Sequence, residues 1–237
     1  MGETDEATSG AAGQAPGGPL WMDAWALAWD KPQGIIVHGD GTGAHTLPDD
    51  VAAWLAATGQ PDVRPQALQR LDRDTSGLVL FSLDRATQPA FDALVAGRGM
   101  DKRYVAVVEG RLPKGERRIE RPIGRDRHDS RRMRVSPTGK PSSTVVAPLA
   151  WRDGRTLVAV RLETGRRHQI RVHLSALGFP IVGDALYGRP ARSGKAAPLM
   201  LHALEEGFEH PVTGEQVRVR TLWPARFAAL GFDVPGA

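Results

Sequence analysis

The sequence predicts an α+β fold: a mostly antiparallel mixed sheet flanked by helices and loops. Three observations carry that expectation. Short apolar runs and alternating segments recur along the chain and outnumber the segments with a helical period. The helical segments are few and fall singly between strands. No internal repeat and no heptad pattern points to a solenoid or coiled coil. With 237 residues and 41% hydrophobic content, the chain can bury one sizeable core, as one large domain or two small ones.

The elements follow in order. Residues 1 to 19 are small, polar and rich in Gly, Ala and Pro, so a disordered tail is expected. Trp25 to Trp29 reads as a short strand, Asp30 to Gly34 as a turn, and Ile35 to His38 as another short strand. Gly39 to Gly43 is a glycine-rich loop. Asp49 or Asp50 caps a helix over Val51 to Thr58, with Gly59 just past its end. Gln66 to Leu71 leads into a charged turn, and Leu78 to Leu83 is the strand after it. Asp84 caps a helix through Thr87, Phe91, Leu94 and Val95. Tyr104 to Glu109 alternates as a strand. Arg111 to Thr138 shows neither period and reads as long loops and hairpins. Thr156 to Glu163 is a strand. Ile170, Leu174 and Leu177 fall at i, i+4 and i+7, which predicts a helix over 168–177. It is ended by Gly178 and Pro180. Residues 199–208 and 216–222 read as two further strands.

Composition excludes several functions. No cysteine is present, so disulfides and Cys-ligated metal centres are ruled out, which fits a cytoplasmic setting. The N-terminus lacks the basic start and apolar run of a signal peptide. No apolar stretch approaches the roughly 20 residues of a membrane span. The net charge is +4 and the pI about 9.8, but the charge is unevenly spread. Residues 98–134 hold 13 Lys and Arg against 6 Asp and Glu, a net of +7, whereas the remainder holds 18 against 21. A concentrated basic segment suits a polyanion such as RNA. A solvated mixed-charge face has the same composition, and composition does not decide between them.

The motifs narrow the chemistry. Gly39-Asp40-Gly41-Thr42-Gly43 has its third glycine one residue too early for a dinucleotide fingerprint. Gly188 to Lys195 is one residue too long for a phosphate loop and lacks the Ser or Thr after its Lys. His168 and His173 would point about 140° apart on a helix, without a Cys or carboxylate cluster to complete a metal site. No metal and no cofactor are therefore expected. Arg70-Leu71-Asp72-Arg73-Asp74-Thr75-Ser76-Gly77 places carboxylates on a turn anchored to a buried strand, where a cleft residue can be held rigidly. Either aspartate could instead simply cap that turn. Arg171 falls in the first turn of its helix, off the Ile170/Leu174/Leu177 stripe. It can point into a cleft toward a carboxylate or lie on the surface; spacing leaves both open. A carboxylate beside a fixed guanidinium stays charged even when partly desolvated. Tyr104, on one strand face with Ala106 and Val108, is either a half-buried aromatic or a platform for a nucleobase.

Taken together, these segments resemble the RluA family of pseudouridine synthases. The matching elements are Arg70-Leu71-Asp72 with Thr75-Ser76-Gly77-Leu78, and Lys102-Arg103-Tyr104-Val105-Ala106. Thr164-Gly165-Arg166 with His168-Gln169-Ile170-Arg171-Val172-His173 follows, then Gly183-Asp184 with Tyr187-Gly188, and Leu201-His202-Ala203. They occur in the family's order over residues 25–225. The resemblance implies a pseudouridine synthase fold around a central catalytic cleft, over residues 20–237. It implies Asp72 as nucleophile, Arg171 as its partner, and Tyr104 stacked on the target base and able to take a proton late. Arg70 would fill the gap left by the flipped base, with Thr75, Arg166, His168, Gln169 and Leu201 as further pocket residues. Asp74 falls at a variable place and carries no assigned role. Gln69 departs from the family's usual His, and Asp30-Lys31-Pro32 from its Asn-Lys-Pro. The short tail suggests a single-domain member, and a monomer is the expectation.

The implied activity is a cofactor-free isomerisation of uridine to pseudouridine in structured RNA, either tRNA or large-subunit rRNA. Two other readings remain: an RNA-binding protein on the same scaffold, or a hydrolase that releases free uracil.

Overall fold

The structure, a computed structural model, describes residues 17–39, 41–188 and 197–233. The expected tail falls almost wholly outside these residues, as does nearly all of the segment Gly188 to Lys195.

In chain order the elements are β1 (Pro19–Met22), β2 (Ala26–Lys31), α1 (Leu47–Ala57), β3 (Gln66–Ala67), β4 (Ser76–Ser82), α2 (Gln88–Ala96) and β5 (Met100–Glu109). There follow β6 (Arg117–Glu120), β7 (Ile123–Arg125), β8 (Met133–Val135), β9 (Ser143–Arg152), β10 (Arg155–Leu162), α3 (Gln169–Ala176), β11 (Leu201–Glu209), β12 (Gln216–Arg220) and α4 (Ala225–Ala228). The main sheet runs β1-β2-β4-β11-β5-β10-β9-β6, with β3 beside β4 and β12 beside β11; β7 and β8 form a separate hairpin. The described pairings are antiparallel, except that β4 and β11 run parallel. This is the α+β, mostly antiparallel architecture that the sequence predicts.

Both faces of the sheet centre are covered. Leu27, Trp29, Val79 and Phe81 pack with Leu47, Val51 and Leu55 of α1. The alternate residues Ala26, Ala28, Leu78 and Leu80 pack with Phe91 of α2. A strand buried on both sides needs no polar face, which is why Leu78 to Phe81 of β4 reads as an unbroken apolar run. All seven of its residues are buried.

The parallel β4–β11 pair sets the site. It aligns Ser76 with His202 and Gly77 with Ala203, bringing the charged turn ahead of β4 beside Leu201. Gly77 has φ +110°, and a Cβ there would lie 2.1 Å from the Ala203 carbonyl oxygen. Only glycine permits this approach.

Several boundaries differ from expectation. Ile35 to His38 is not a strand; Ile36 makes a single bridge to Thr46. Val37 is buried by packing alone, because β2, β3 and β11 already take the ladder positions beside β4. Helix α1 starts four residues before Val51, capped by Thr46 rather than by Asp49 or Asp50. Asp49 sits inside the first turn and accepts the Thr46 N–H at 2.8 Å and its hydroxyl at 2.7 Å. Asp30 and Lys31 continue β2 instead of opening a turn. Strand β9 has no sequence-level counterpart, since Pro148 breaks its pattern; the ladder absorbs that proline at a register shift.

Candidate active site

The nine side chains singled out from the sequence line one pocket. Arg70, Asp72, Thr75, Tyr104, Arg166, His168, Gln169, Arg171 and Leu201 share it with Leu71, Leu162 and Ile170. The pocket lies where the turn before β4, the middle of β5, the start of α3 and the start of β11 converge.

The turn is held from beneath. Thr75 N–H donates to the Asp72 carbonyl at 3.0 Å. Lys31, fully buried, donates from Nζ to the carbonyls of Pro32 and Arg73, each at 2.9 Å. Gln33 Nε2 donates to the Asp74 carbonyl at 2.6 Å and to that of Leu199 at 2.8 Å. Burial pushes the Lys31 amine down to about 8, against the opposing charges of Asp74 and Asp72. Gln69, just before the turn, donates to buried Glu206 Oε1 at 2.6 Å.

Arg171 spans two carboxylates. Its NH1 donates to Asp72 Oδ2 at 2.9 Å, while Nε and NH2 donate to Asp184 Oδ2 and Oδ1 at 2.8 Å each. It is 6% exposed, so of its two sequence-level alternatives the cleft is the one realised. The stronger, two-point contact goes to Asp184, and Asp72 takes the remaining nitrogen. Burial opposes the Arg171 charge, but hydrogen bonds and charge from Asp184 and Asp72 outweigh it and hold the guanidinium above its ordinary value. Asp184 is likewise penalised by burial, yet Arg171 and the N–H groups of Tyr187 and Leu186 bring its carboxyl below the usual range. Arg171 thus forms a rigid guanidinium clamp that holds one oxygen of Asp72.

His168 closes another side. It precedes α3 with φ 55° and ψ 20°, a left-handed conformation uncommon for a side-chain-bearing residue. Its Nε2 lies 3.8 Å from Asp72 Oδ1. Gln169 is stitched inward: its Oε1 accepts from the Thr164 hydroxyl and Arg166 N–H, and its Nε2 donates to the Ser143 carbonyl and Thr144 hydroxyl. Its amide therefore shapes the wall and has no free group for a ligand. His173 points elsewhere, to Thr144 and the Arg121 carbonyl, both at 2.9 Å.

Tyr104 is 6% exposed, on β5 between Ala203 of β11 and Val160 of β10. Burial, then the charges of Glu206 and Asp72, push its hydroxyl well above the tyrosine range, so it is neutral at physiological pH. Arg70 is exposed at the rim, and Arg166 donates from Nε to the Pro141 carbonyl at 3.2 Å. Leu201 is buried, and its carbonyl accepts from Arg226 of α4 at 3.1 Å.

Sequence reasoning assigns no role to Lys31, Gln33, Asp184 or Tyr187. Lys31, Asp184 and Tyr187 each fall within a quoted motif, so proximity in the chain marks them; their contacts become visible only in three dimensions.

A family model described as RNA pseudouridylate synthase matches residues 26–176. The chain is 36% identical over 209 residues to the uncharacterized RNA pseudouridine synthase YhcT of Bacillus subtilis, covering 87% of this chain and 68% of that one. It is 34% identical over 222 residues to ribosomal large subunit pseudouridine synthase D of Vibrio vulnificus, covering 86% and 66%. Among solved structures, human RNA pseudouridylate synthase domain containing 1 has a TM-score of 0.74 at 27% identity, covering 87% of this chain and 83% of the other. No helix among the described residues is long and apolar enough to cross a membrane.

Proposed function

Since the chain belongs to the RNA pseudouridylate synthase family, in its RluA group, we propose that Asp72, Tyr104 and Arg171 carry out the isomerisation on a uridine flipped out of structured RNA. The enzyme is an isomerase of RNA. The observation that supports this assignment of residues is the 2.9 Å contact between Arg171 and Asp72, formed across 99 positions of chain at a pocket that also holds Tyr104.

The reaction breaks the N1–C1′ bond, turns the uracil and joins C5 to C1′. C5 loses its proton and N1 gains one, so nothing is oxidised and no energy source is needed. Arg171 holds Oδ2 of Asp72, which leaves Oδ1 to approach the nucleoside. Extruding the base costs a few kcal/mol. Stacking on Tyr104 returns about 1–3 kcal/mol, and Arg70, free at the rim, fills the vacated stack. A neutral Tyr104 hydroxyl can donate or relay a proton, but it is not a standing tyrosinate base. The exposed arginines between Arg117 and Arg134 grip phosphates without reading sequence. No metal or cofactor takes part, and residues 20–237 form the catalytic unit, acting in the cytoplasm.

Large-subunit rRNA is the favoured substrate over tRNA, a choice supported by the name of the Vibrio relative. The test is tritium release from C5-labelled uridine in transcripts of both RNAs. Wild-type protein is expected to release tritium from the rRNA, and Asp72→Asn to bind that RNA without release. Turnover by Asp72→Asn would remove Asp72 from its role. Release from tRNA alone would reverse the choice of substrate, and free uracil among the products would mark a hydrolase instead.

A further inference from the structure

The hairpin β7–β8 stands apart from the main sheet and carries part of the basic segment. A line of contacts leads from it to Asp72. Met133 N–H donates to the Tyr187 hydroxyl at 2.7 Å. That hydroxyl meets His168 Nδ1, also at 2.7 Å, and His168 Nε2 faces Asp72 Oδ1 at 3.8 Å. The Tyr187 ring lies between two guanidinium groups, Arg132 of the hairpin and Arg171 of the clamp, each 5.2 Å from its centroid. Tyr187 is 8% exposed.

The contacts along this line favour one arrangement of the protons. The Tyr187 oxygen accepts from Met133, so its own proton is available to His168 Nδ1. A neutral imidazole whose Nδ1 accepts carries its proton on Nε2. Nε2 is also the nitrogen nearer a carboxylate oxygen, where a lone pair would be repelled. Both arguments give the same tautomer. The left-handed backbone at His168 fixes where the ring starts; the Tyr187 hydroxyl fixes how it is turned.

Building on the proposed function, we propose that Tyr187 is a positioning residue that sets His168 with Nε2–H toward Asp72 and couples that setting to the RNA-gripping hairpin. At 3.8 Å the His168–Asp72 contact is longer than a hydrogen bond, and catalytic hydrogen bonds commonly tighten only when substrate is bound. RNA docked on the hairpin arginines presses Met133 and Arg132 onto Tyr187. His168 is thereby brought onto Oδ1, the oxygen that Arg171 leaves open. The charged groups facing His168 are Asp72 and Asp184 on one side and Arg171 and Arg167 on the other, and burial is the main cause holding its basicity down. Removing the hydroxyl removes a donor to Nδ1, which makes the ring easier to protonate.

The test is Tyr187→Phe in the full chain, which keeps the ring and its guanidinium contacts. Nitrogen NMR of labelled histidine is expected to show His168 with a bare Nδ1 and a protonated Nε2 in the wild type, and to lose that pattern in the variant. The variant's kcat should fall about tenfold to a hundredfold, the scale of a small misplacement in a catalytic site. Its acid limb should move to higher pH, while affinity for RNA changes far less. A purely structural tyrosine would leave tautomer and pH limb unmoved. His168→Asn, with a residue that tolerates the left-handed backbone, provides the second measure: adding Tyr187→Phe to it should cost no further activity. A protonated Nδ1 in the wild type, an unmoved tautomer in Tyr187→Phe, or additive losses in the double variant would overturn the proposal. If the wild type makes no pseudouridine, the functional reading fails, and the tautomer measurement still decides the positioning claim.

Discussion

Arg171 illustrates how a single side chain can serve stability and chemistry at once. Its fork is anchored on Asp184, whose side chain is fully buried, and its remaining nitrogen reaches Asp72. Removing a partner from a buried ion pair leaves an uncompensated charge and costs about 3–5 kcal/mol. Arg171→Ala should therefore lower the unfolding free energy by about that amount, read from denaturant midpoints, and lose activity even under conditions where it remains folded. A variant of unchanged stability would place Asp184 in another network. Tyr104 separates differently. Tyr104→Phe keeps the stacking surface and loses the hydroxyl, whereas Tyr104→Ala loses both, including the roughly 1–3 kcal/mol of base stacking. The alanine variant should be the slower of the two in single-turnover assays; equal rates would remove stacking from the account. Asp72, Tyr104 and Arg171 are singled out in the sequence by the motifs that carry the family resemblance; spacing alone leaves each of them a plain structural alternative, and the structure brings the three to one pocket. Lys31 and Gln33 are not. They act on backbone carbonyls of the distant turn, and a carbonyl acceptor leaves no signature in the sequence.

Among elements, the rung between β5 and β11 carries an unusual burden. Glu206 lies opposite Lys102, is 1% exposed, and leaves Oε2 without a hydrogen-bond partner among the described residues. Burial, opposed by the Lys102 charge and the Gln69 hydrogen bond, pushes its carboxyl from 4.5 up to about 7. The unfolded chain releases this proton near the ordinary value and the folded chain keeps it to about 7. Between those limits the folded state binds more protons, so stability falls as pH rises through the window and levels off above it. Urea midpoints at the two ends of the window should differ by less in Glu206→Gln than in the wild type. An unchanged difference would show that Glu206 does not titrate there. The same rung shows why elements are unequally legible. Strand β4 announces itself by an apolar run buried on both faces, and β5 by its pattern from Tyr104 to Glu109, though not over its charged start at Asp101 to Arg103. Strand β9 is hidden by Pro148 and by an exposed end at Leu149 and Trp151, because its register comes from β10 rather than from its own pattern. The α1 start escapes the sequence pattern because the capping-box acid, Asp49, lies inside the helix rather than at its boundary.

Across the whole molecule, the lopsided charge remains to be explained. In the basic segment some arginines are committed internally: Arg118 pairs with Glu163, and Arg131 with Asp129 at 2.8 Å. Arg117, Arg125 and Arg127 are exposed, with no side-chain hydrogen bond or ion pair among the described residues. A solvated mixed-charge face can carry such unpaired arginines without cost, because water hydrates them and exposed ion pairs contribute little. A phosphate-gripping face needs cations that are unneutralised before RNA arrives, because binding is driven by release of the counterions condensed on the nucleic acid. The two readings that composition leaves open therefore differ in a measurable slope. With Arg117, Arg125 and Arg127 changed together to Ala, the dependence of log K on log salt should become shallower. The change should be about 0.7–0.9 for each phosphate no longer neutralised, or about 2–3 for three phosphates. Affinity should fall similarly for RNAs of different sequence, since phosphate contacts position without specifying. A slope equal to that of the wild type would assign these arginines to the solvated face and move the RNA path to another part of the surface.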